Sequence, residues 1–151
     1  MTTIINGPEE VKALQGVELP PSSWMEIDQA RIDAFAACTD DPQWIHVDQE
    51  RAAASPFGAT IAHGLLTLSL IPRFWHEVVR VEGFRMNINY GVNRVRFPAP
   101  LPVGSRIRGR FQVGEVTEFQ DCLQVQRLAT IERDGHPKPV CVAETVLRLY
   151  L

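Results

Sequence analysis

The spacing of hydrophobic positions changes about halfway along the chain. In the first half the apolar residues recur at helical intervals. Asp28 stands ahead of Ile32, Phe35 and Ala36, which predicts a capped helix running to about Thr39. A shorter helix is predicted over Pro8–Gln15, with Pro8 in its first turn and Gly16 as its stop. Pro20, Pro21 and two serines separate it from an extended stretch around Trp24–Ile27. A helical turn is expected at Gln49–Ala53, followed by a loop over SPFGATIAHG, residues 55–64. Next comes the most apolar segment, Leu65–Trp75, where Leu65, Leu66, Leu68, Leu70 and Ile71 leave hardly any polar face. A helix apolar nearly all round is a buried helix, and Pro72 should bend it or end its first half.

From Phe84 onward the period is two. Ile107, Gly109, Phe111 and Val113 alternate with Arg106, Arg108, Arg110 and Gln112, the pattern of a half-buried strand. Cys122–Arg133 and Lys138–Tyr150 read as two more strands, joined by a turn at Asp134-Gly135. Long strands joined by hairpins make an antiparallel sheet. The buried helix needs a sheet around it and the sheet needs something apolar on its inner face. The fold class expected is therefore α+β, a curved antiparallel sheet wrapped around a central hydrophobic helix, which is the shape of the hot-dog fold. The 151 residues form one expected domain, 1–151, large enough to need no disulfides or metal.

Composition narrows the function classes. Hydrophobic residues make up 45% and charged residues 22%, and the net charge is −3 with the basic residues scattered, so nucleic acid is not an expected partner. No window approaches the roughly eighteen apolar residues of a membrane span, and the first twenty residues lack the plan of a signal peptide. Cys38, Cys122 and Cys141 match neither a disulfide framework nor a zinc site; a cytoplasmic protein with three small apolar thiols is expected.

Two stretches carry candidate chemistry. In Thr39–Asp48, TDDPQWIHVD, a turn at Pro42 lets Asp41 and His46 face one site. A carboxylate and an imidazole sharing a water form a general acid–base unit. Spacing alone leaves open a helix-capping aspartate and a solvated surface histidine instead. In Thr60–Gly64, TIAHG, the entrance to the buried helix offers unpaired backbone N–H groups, and Gly64 would let a ligand approach them. Such donors suit a thioester carbonyl gaining negative charge. A glycine that merely eases helix entry fits equally well. His63 is expected to be a structural, hydrogen-bonded residue and not a second base.

Together the two stretches resemble the MaoC-like family, which includes R-specific enoyl-CoA hydratases. In that family a Gly-Asp-x-Asn-Pro-x-His-type signature precedes the hot-dog helix and an Ala/Val-His-Gly motif opens it. Asp41 and His46 stand at the acid and imidazole positions of the first, and Ala62, His63 and Gly64 match the second. The likeness is to the NodN-like branch, through Gln43-Trp44-Ile45-His46-Val47-Asp48 and Ile61-Ala62-His63-Gly64, and it extends over Asn87 to Ser105. Asp40 occupies the place of the family's glycine, and Gln43 and Trp44 replace its Asn-Pro. Pro72 falls near where some hydratases use a serine, with Ser69 about one turn earlier.

The resemblance implies reversible, R-specific hydration of a trans-2-enoyl-CoA by a water held between Asp41 and His46, with the Gly64 N–H on the thioester oxygen. Substrate contacts are expected from Gln43, Trp44, Ser69, Tyr90 and Asn93, the last two fitting the dimer seam as well. Arg51, Arg94, Arg96 and Lys138 are candidate partners for the coenzyme A phosphates, although a solvated face suits any single one of them better. No metal or cofactor is expected beyond coenzyme A as part of the substrate, and a homodimer paired through its sheets is expected. Two other classes share the fold: an acyl-CoA thioesterase, and a non-catalytic acyl-thioester-binding accessory protein.

Overall fold

The structure is a computed structural model and describes residues 2–151. In chain order the elements are β1 (Thr3–Asn6), α1 (Gly7–Ala13), β2 (Met25–Glu26), α2 (Gln29–Thr39), α3 (Trp44–Val47), α4 (Gln49–Ala53), α5 (Gly64–Ser69), α6 (Ile71–Val78), β3 (Val79–Glu82), β4 (Met86–Arg96), β5 (Arg106–Glu118), β6 (Cys122–Arg133) and β7 (Cys141–Tyr150). The antiparallel sheet has the order β2-β5-β6-β7-β4. Its register places Ile107 opposite Arg133, Ala129 opposite Ala143 and Leu123 opposite Leu149.

The predicted alternation holds along these strands. Ile107, Phe111 and Val113 of β5, Leu123, Val125, Ala129 and Ile131 of β6, and Ala143, Leu147 and Leu149 of β7 are buried. They form one core with Leu66, Leu70, Ile71, Phe74, Trp75 and Val78 from α5 and α6. This is the α+β hot-dog arrangement, with the curved sheet folded around the apolar helical segment. Strand β7 starts at Cys141 and not at Lys138, because Pro137 and Pro139 have no N–H to give the ladder.

As the proline led one to expect, the apolar segment after residue 64 is divided: it is two helices meeting at Leu70, with Pro72 in the first turn of α6, where its missing N–H costs nothing. Two local expectations need correction. The segment is not enclosed all round. Leu65 is 61% exposed and Ser69, Arg73 and His76 also face outward, because the sheet covers one side of the helices only. Of the three free thiols, Cys122 and Cys141 are buried, whereas Cys38 is exposed and leans back onto the Phe35 carbonyl.

A small parallel pair, β1 with β3, closes the far end of the core through Ile5 and Val79. At the opposite edge of the main sheet, β4 presents Met86, Ile88, Tyr90 and Val92 to the outside. No helix among the described residues is long and apolar enough to cross a membrane.

Candidate active site

The site is assembled where α2 ends. Asp28 caps α2 by accepting from the Arg31 N–H, and the helix closes at Asp40 in the left-handed region, φ 54°. That turn reverses the chain, and the Asp41 N–H donates to the Ala36 carbonyl at 3.0 Å. Asp40 thus does what a helix-ending glycine ordinarily does. Pro42 and Gln43 then lead into the four-residue helix α3, which carries His46. The stretch expected to be loop therefore holds a helical turn.

Segment 60–62 is laced between α3 and the strand-like run 101–103. The Ile61 N–H donates to the Ile45 carbonyl, Ala62 N–H to Leu101, and Val103 N–H to Thr60. Gln29, at the first turn of α2, braces the same junction. Its Nε2 donates to the His46 carbonyl at 2.8 Å, and its Oε1 accepts from the Thr60 hydroxyl. Gln29 was not among the residues the sequence singles out; only its place directly after the Asp28 cap pointed to it.

His46 is buried, and its Nδ1 lies 2.6 Å from the Ile61 carbonyl. A carbonyl only accepts, so Nδ1 carries the proton and Nε2 carries the lone pair. Burial, more than any other influence, holds the His46 pKa below its ordinary value; the Ile61 carbonyl and Asp41 oppose this and His63 adds to it. His46 is thus a neutral imidazole with a basic nitrogen at neutral pH.

His63, the residue before α5, stacks on it with ring centroids 3.7 Å apart. Its Nε2 donates to the Asp41 backbone carbonyl at 3.0 Å and lies 4.0 Å from the Asp41 carboxylate. His63 is buried and hydrogen-bonded, as its expected structural character requires, although its Nδ1 has no partner among the described residues. Asp41 itself is 54% exposed.

One ligand-type atom from each of Asp41, His46 and His63 falls within 4.8 Å of the others. The trio does not fit a metal ion as it stands. Imidazole ligands bind through in-plane lone pairs at about 2.0–2.1 Å, whereas these rings lie in near-parallel planes separated by most of the 3.7 Å stacking distance.

A pocket of about 260 Å³ opens beside His46 and is walled by Ile61, Gly64, Thr67, Phe97 and Leu101, among others. It brings His46 and Gly64 together. A Cβ on Gly64 would meet three atoms of the Phe97 ring at 2.8–2.9 Å, so this residue has no space for a side chain. Thr67 and Phe97 are wall residues that the motifs did not indicate.

The remaining candidates lie elsewhere. Gln43 is exposed and contributes its backbone carbonyl to the His46 N–H. Trp44 is half-buried beneath Arg51, whose guanidinium carbon is 4.3 Å from the ring centroid. Ser69 donates to the Leu66 carbonyl and lines a separate cavity of about 280 Å³. Tyr90 is 56% exposed with Arg148 at 3.5 Å over its ring, and Asn93, Arg94 and Arg96 are exposed on β4. Lys138 is exposed in the β6–β7 connection.

Comparison with known proteins adds the decisive observation: the model of the MaoC like domain matches residues 11–133. The chain belongs to the MaoC-like family. That span of the MaoC-like domain runs from α1 to the end of β6 and includes the whole His46–Gly64 pocket except Val140. The MaoC-like chain is 47% identical over 140 residues to 3-hydroxyacyl-thioester dehydratase Z of Mycobacterium tuberculosis, covering 92% of this chain and 93% of that one. It is 42% identical over 141 residues to nodulation protein N of Rhizobium leguminosarum, covering 91% and 87%. A solved structure, the monoamine oxidase regulatory protein from Archaeoglobus, superposes with a TM-score of 0.80 at 22% identity, over 99% and 97% of the two chains.

Proposed function

We propose that this MaoC-like protein catalyses the reversible, R-specific hydration of a trans-2-enoyl-CoA to the 3-hydroxyacyl-CoA, acting as a homodimer. The observation that carries this reading is the pocket shared by His46 and Gly64, with a buried, neutral imidazole facing the start of α5. The dehydratase Z relative, matched along nearly its whole length, supports the same reaction class. R stereochemistry and the coenzyme A carrier follow the family resemblance. The exposed apolar positions Met86, Ile88, Tyr90 and Val92 on edge strand β4 suit a second copy.

In this mechanism a water sits between the Asp41 carboxylate and His46 Nε2. His46 takes one of its protons as the oxygen bonds to C3 of the enoyl group. The C2–C3 π electrons move toward the thioester, whose oxygen gains charge and accepts from the Gly64 N–H. The Asp41–His46 pair then delivers a proton to C2, and the reverse sequence expels water. Gln29 and His63 set the ring and loop in place and touch no reacting atom.

The test is loss of enoyl absorbance with crotonyl-CoA, for the wild type beside Asp41→Asn and His46→Gln. Hydration by the wild type with a fall of about 10²-fold or more in each variant supports the pair. Release of free thiol with the enoyl absorbance unchanged would replace it with a thioesterase. Binding without turnover, indifferent to both substitutions, would replace it with an accessory acyl-binding protein.

A further inference from the structure

Arg127 is one of the most deeply buried side chains of the protein, at 1% exposure. It projects from the inner face of β6, where its same-face neighbours Leu123, Val125, Ala129 and Ile131 are all apolar. Among the described residues it forms no ion pair. Its Nε donates to the Thr145 hydroxyl at 2.9 Å, and Nη2 reaches the Asn89 side-chain oxygen at 3.4 Å. Nη1 has no acceptor, and neither has the buried Nε1 of Trp75, whose ring centroid is 5.2 Å from the guanidinium carbon.

A guanidinium keeps its charge in such a place. Burial draws its pKa down to about 10, still well above neutrality. A buried cation whose donors are only partly used calls for an anionic acceptor.

Arg127 lines a cavity of about 280 Å³ between α5 and β4, with Leu68, Ser69, Asn89, Val92 and Thr145 around it. Leu68 is one helical turn beyond Gly64 on the same face of α5, about 6 Å along the axis. The two cavities share no lining residue but adjoin along α5, through Thr67 of the one and Leu68 of the other, so an acyl chain with its thioester at Gly64 would have to follow α5 past these residues to reach Arg127. A second copy paired through β4 does not supply the missing acceptor from that strand, since MNINYGVNRVR contains two arginines and no carboxylate.

We infer that the acyl group taken by this site ends in a carboxylate, held by Arg127 in the cavity between α5 and β4. The inference rests on the hydratase reading of Asp41, His46 and Gly64. Its test compares trans-2-hexenedioyl-CoA with the neutral trans-2-hexenoyl-CoA, as a ratio of kcat/KM, in the wild type, Arg127→Met and Arg127→Lys. The wild type is expected to favour the diacid by about ten- to a hundredfold, the worth of a hydrogen bond to a charged group. In Arg127→Met the ratio falls to one or below, and Arg127→Lys lies between.

A wild-type ratio of one overturns the inference and leaves the hydratase reading standing. So does a Met variant that loses both substrates alike with the ratio unchanged, which would make Arg127 structural and its spare donors bound to water only. Calorimetric binding of adipoyl-CoA against hexanoyl-CoA, neither of which can be hydrated, supplies a readout independent of turnover. Tighter adipoyl binding without any hydration would keep Arg127 as the anchor while the hydratase reading failed. If Arg127→Met does not fold, as judged by circular dichroism, the wild-type and Lys ratios decide.

Discussion

His46 and His63 lie face to face, with ring centroids 3.7 Å apart and planes inclined by 22°. One nitrogen of each ring is fixed by a backbone carbonyl: His46 Nδ1 by Ile61 and His63 Nε2 by Asp41. His63 therefore links the loop that carries Asp41 to the ring of His46, and the spacing of the pair depends on a residue outside it.

Replacing His63 by Phe keeps a stacking surface and removes the N–H to the Asp41 carbonyl. With the Asp41 carbonyl released and only its N–H still held by Ala36, kcat for enoyl hydration should drop by roughly tenfold with KM little changed, the loss of about one hydrogen bond. The same substitution removes one of the influences lowering the His46 pKa, so the acid limb of the pH profile should move upward. It should stay below the ordinary histidine value, since burial is the first cause. Steady-state kinetics across pH check both; an unmoved limb would mean that His63 acts on stability alone.

The wild-type profile has a direction fixed by the same shift. A base whose pKa is held below 6.5 is already deprotonated at neutrality, so kcat/KM should be flat from about pH 7 upward and fall on the acid side. Stability follows the same sign. Between the folded and unfolded pKa values the unfolded chain binds more protons, so the contribution of His46 is fully present above about 6.5 and lost as the pH falls through the folded value. Denaturant melts of wild type and His46→Gln below pH 6.5 should show the gap between them closing.

Much of this architecture was legible because its signals are local. Asp28 caps α2 and Thr39 ends it, the alternation of Ile107, Phe111 and Val113 sets the buried face of β5, and the turn at Asp134-Gly135 marks the end of β6. What was not legible depends on contacts distant in sequence. Helix α3 is four residues long, too short to show a period, and β1 and β3 pair across more than seventy residues with no sequence mark. Leu65 reads as core and is exposed, because a one-sided sheet cannot be inferred from an apolar run. The motif residues His46 and Gly64 do meet in one pocket, whereas Tyr90 and Asn93 lie out on β4. Arg127 was visible in principle, as the one charged residue flanked on both sides by apolar residues of the buried parity of β6, the other, Arg133, standing at the strand's end.

Gly64 offers a separable test of space against hydrogen bonding. A Cβ on Gly64 would collide with the Phe97 ring, so Gly64→Ala must displace that ring, which is part of the pocket wall. Overpacking of this kind costs about 1–3 kcal/mol, and kcat/KM should fall by about ten- to a hundredfold. Adding Phe97→Leu gives the methyl group room while leaving the backbone N–H of residue 64 in place. The double variant should recover most of the loss relative to Gly64→Ala alone. Failure to recover would show that Phe97 itself closes the pocket over the acyl group.

Asp40 sets the entry into the site at a cost in stability. It is the only non-glycine residue with positive φ among the described residues. It also places a carboxylate at the negative end of the α2 dipole. Glycine takes this conformation freely and carries no charge, so Asp40→Gly should raise the unfolding free energy by about 1 kcal/mol and the melting temperature by about 2–4 °C. Asp40→Ala separates the two causes. It removes the charge but keeps the Cβ that the left-handed region disfavours, and should fall below Asp40→Gly in stability. Equal melting temperatures for the Gly and Ala variants would assign the whole effect to charge and none to the backbone.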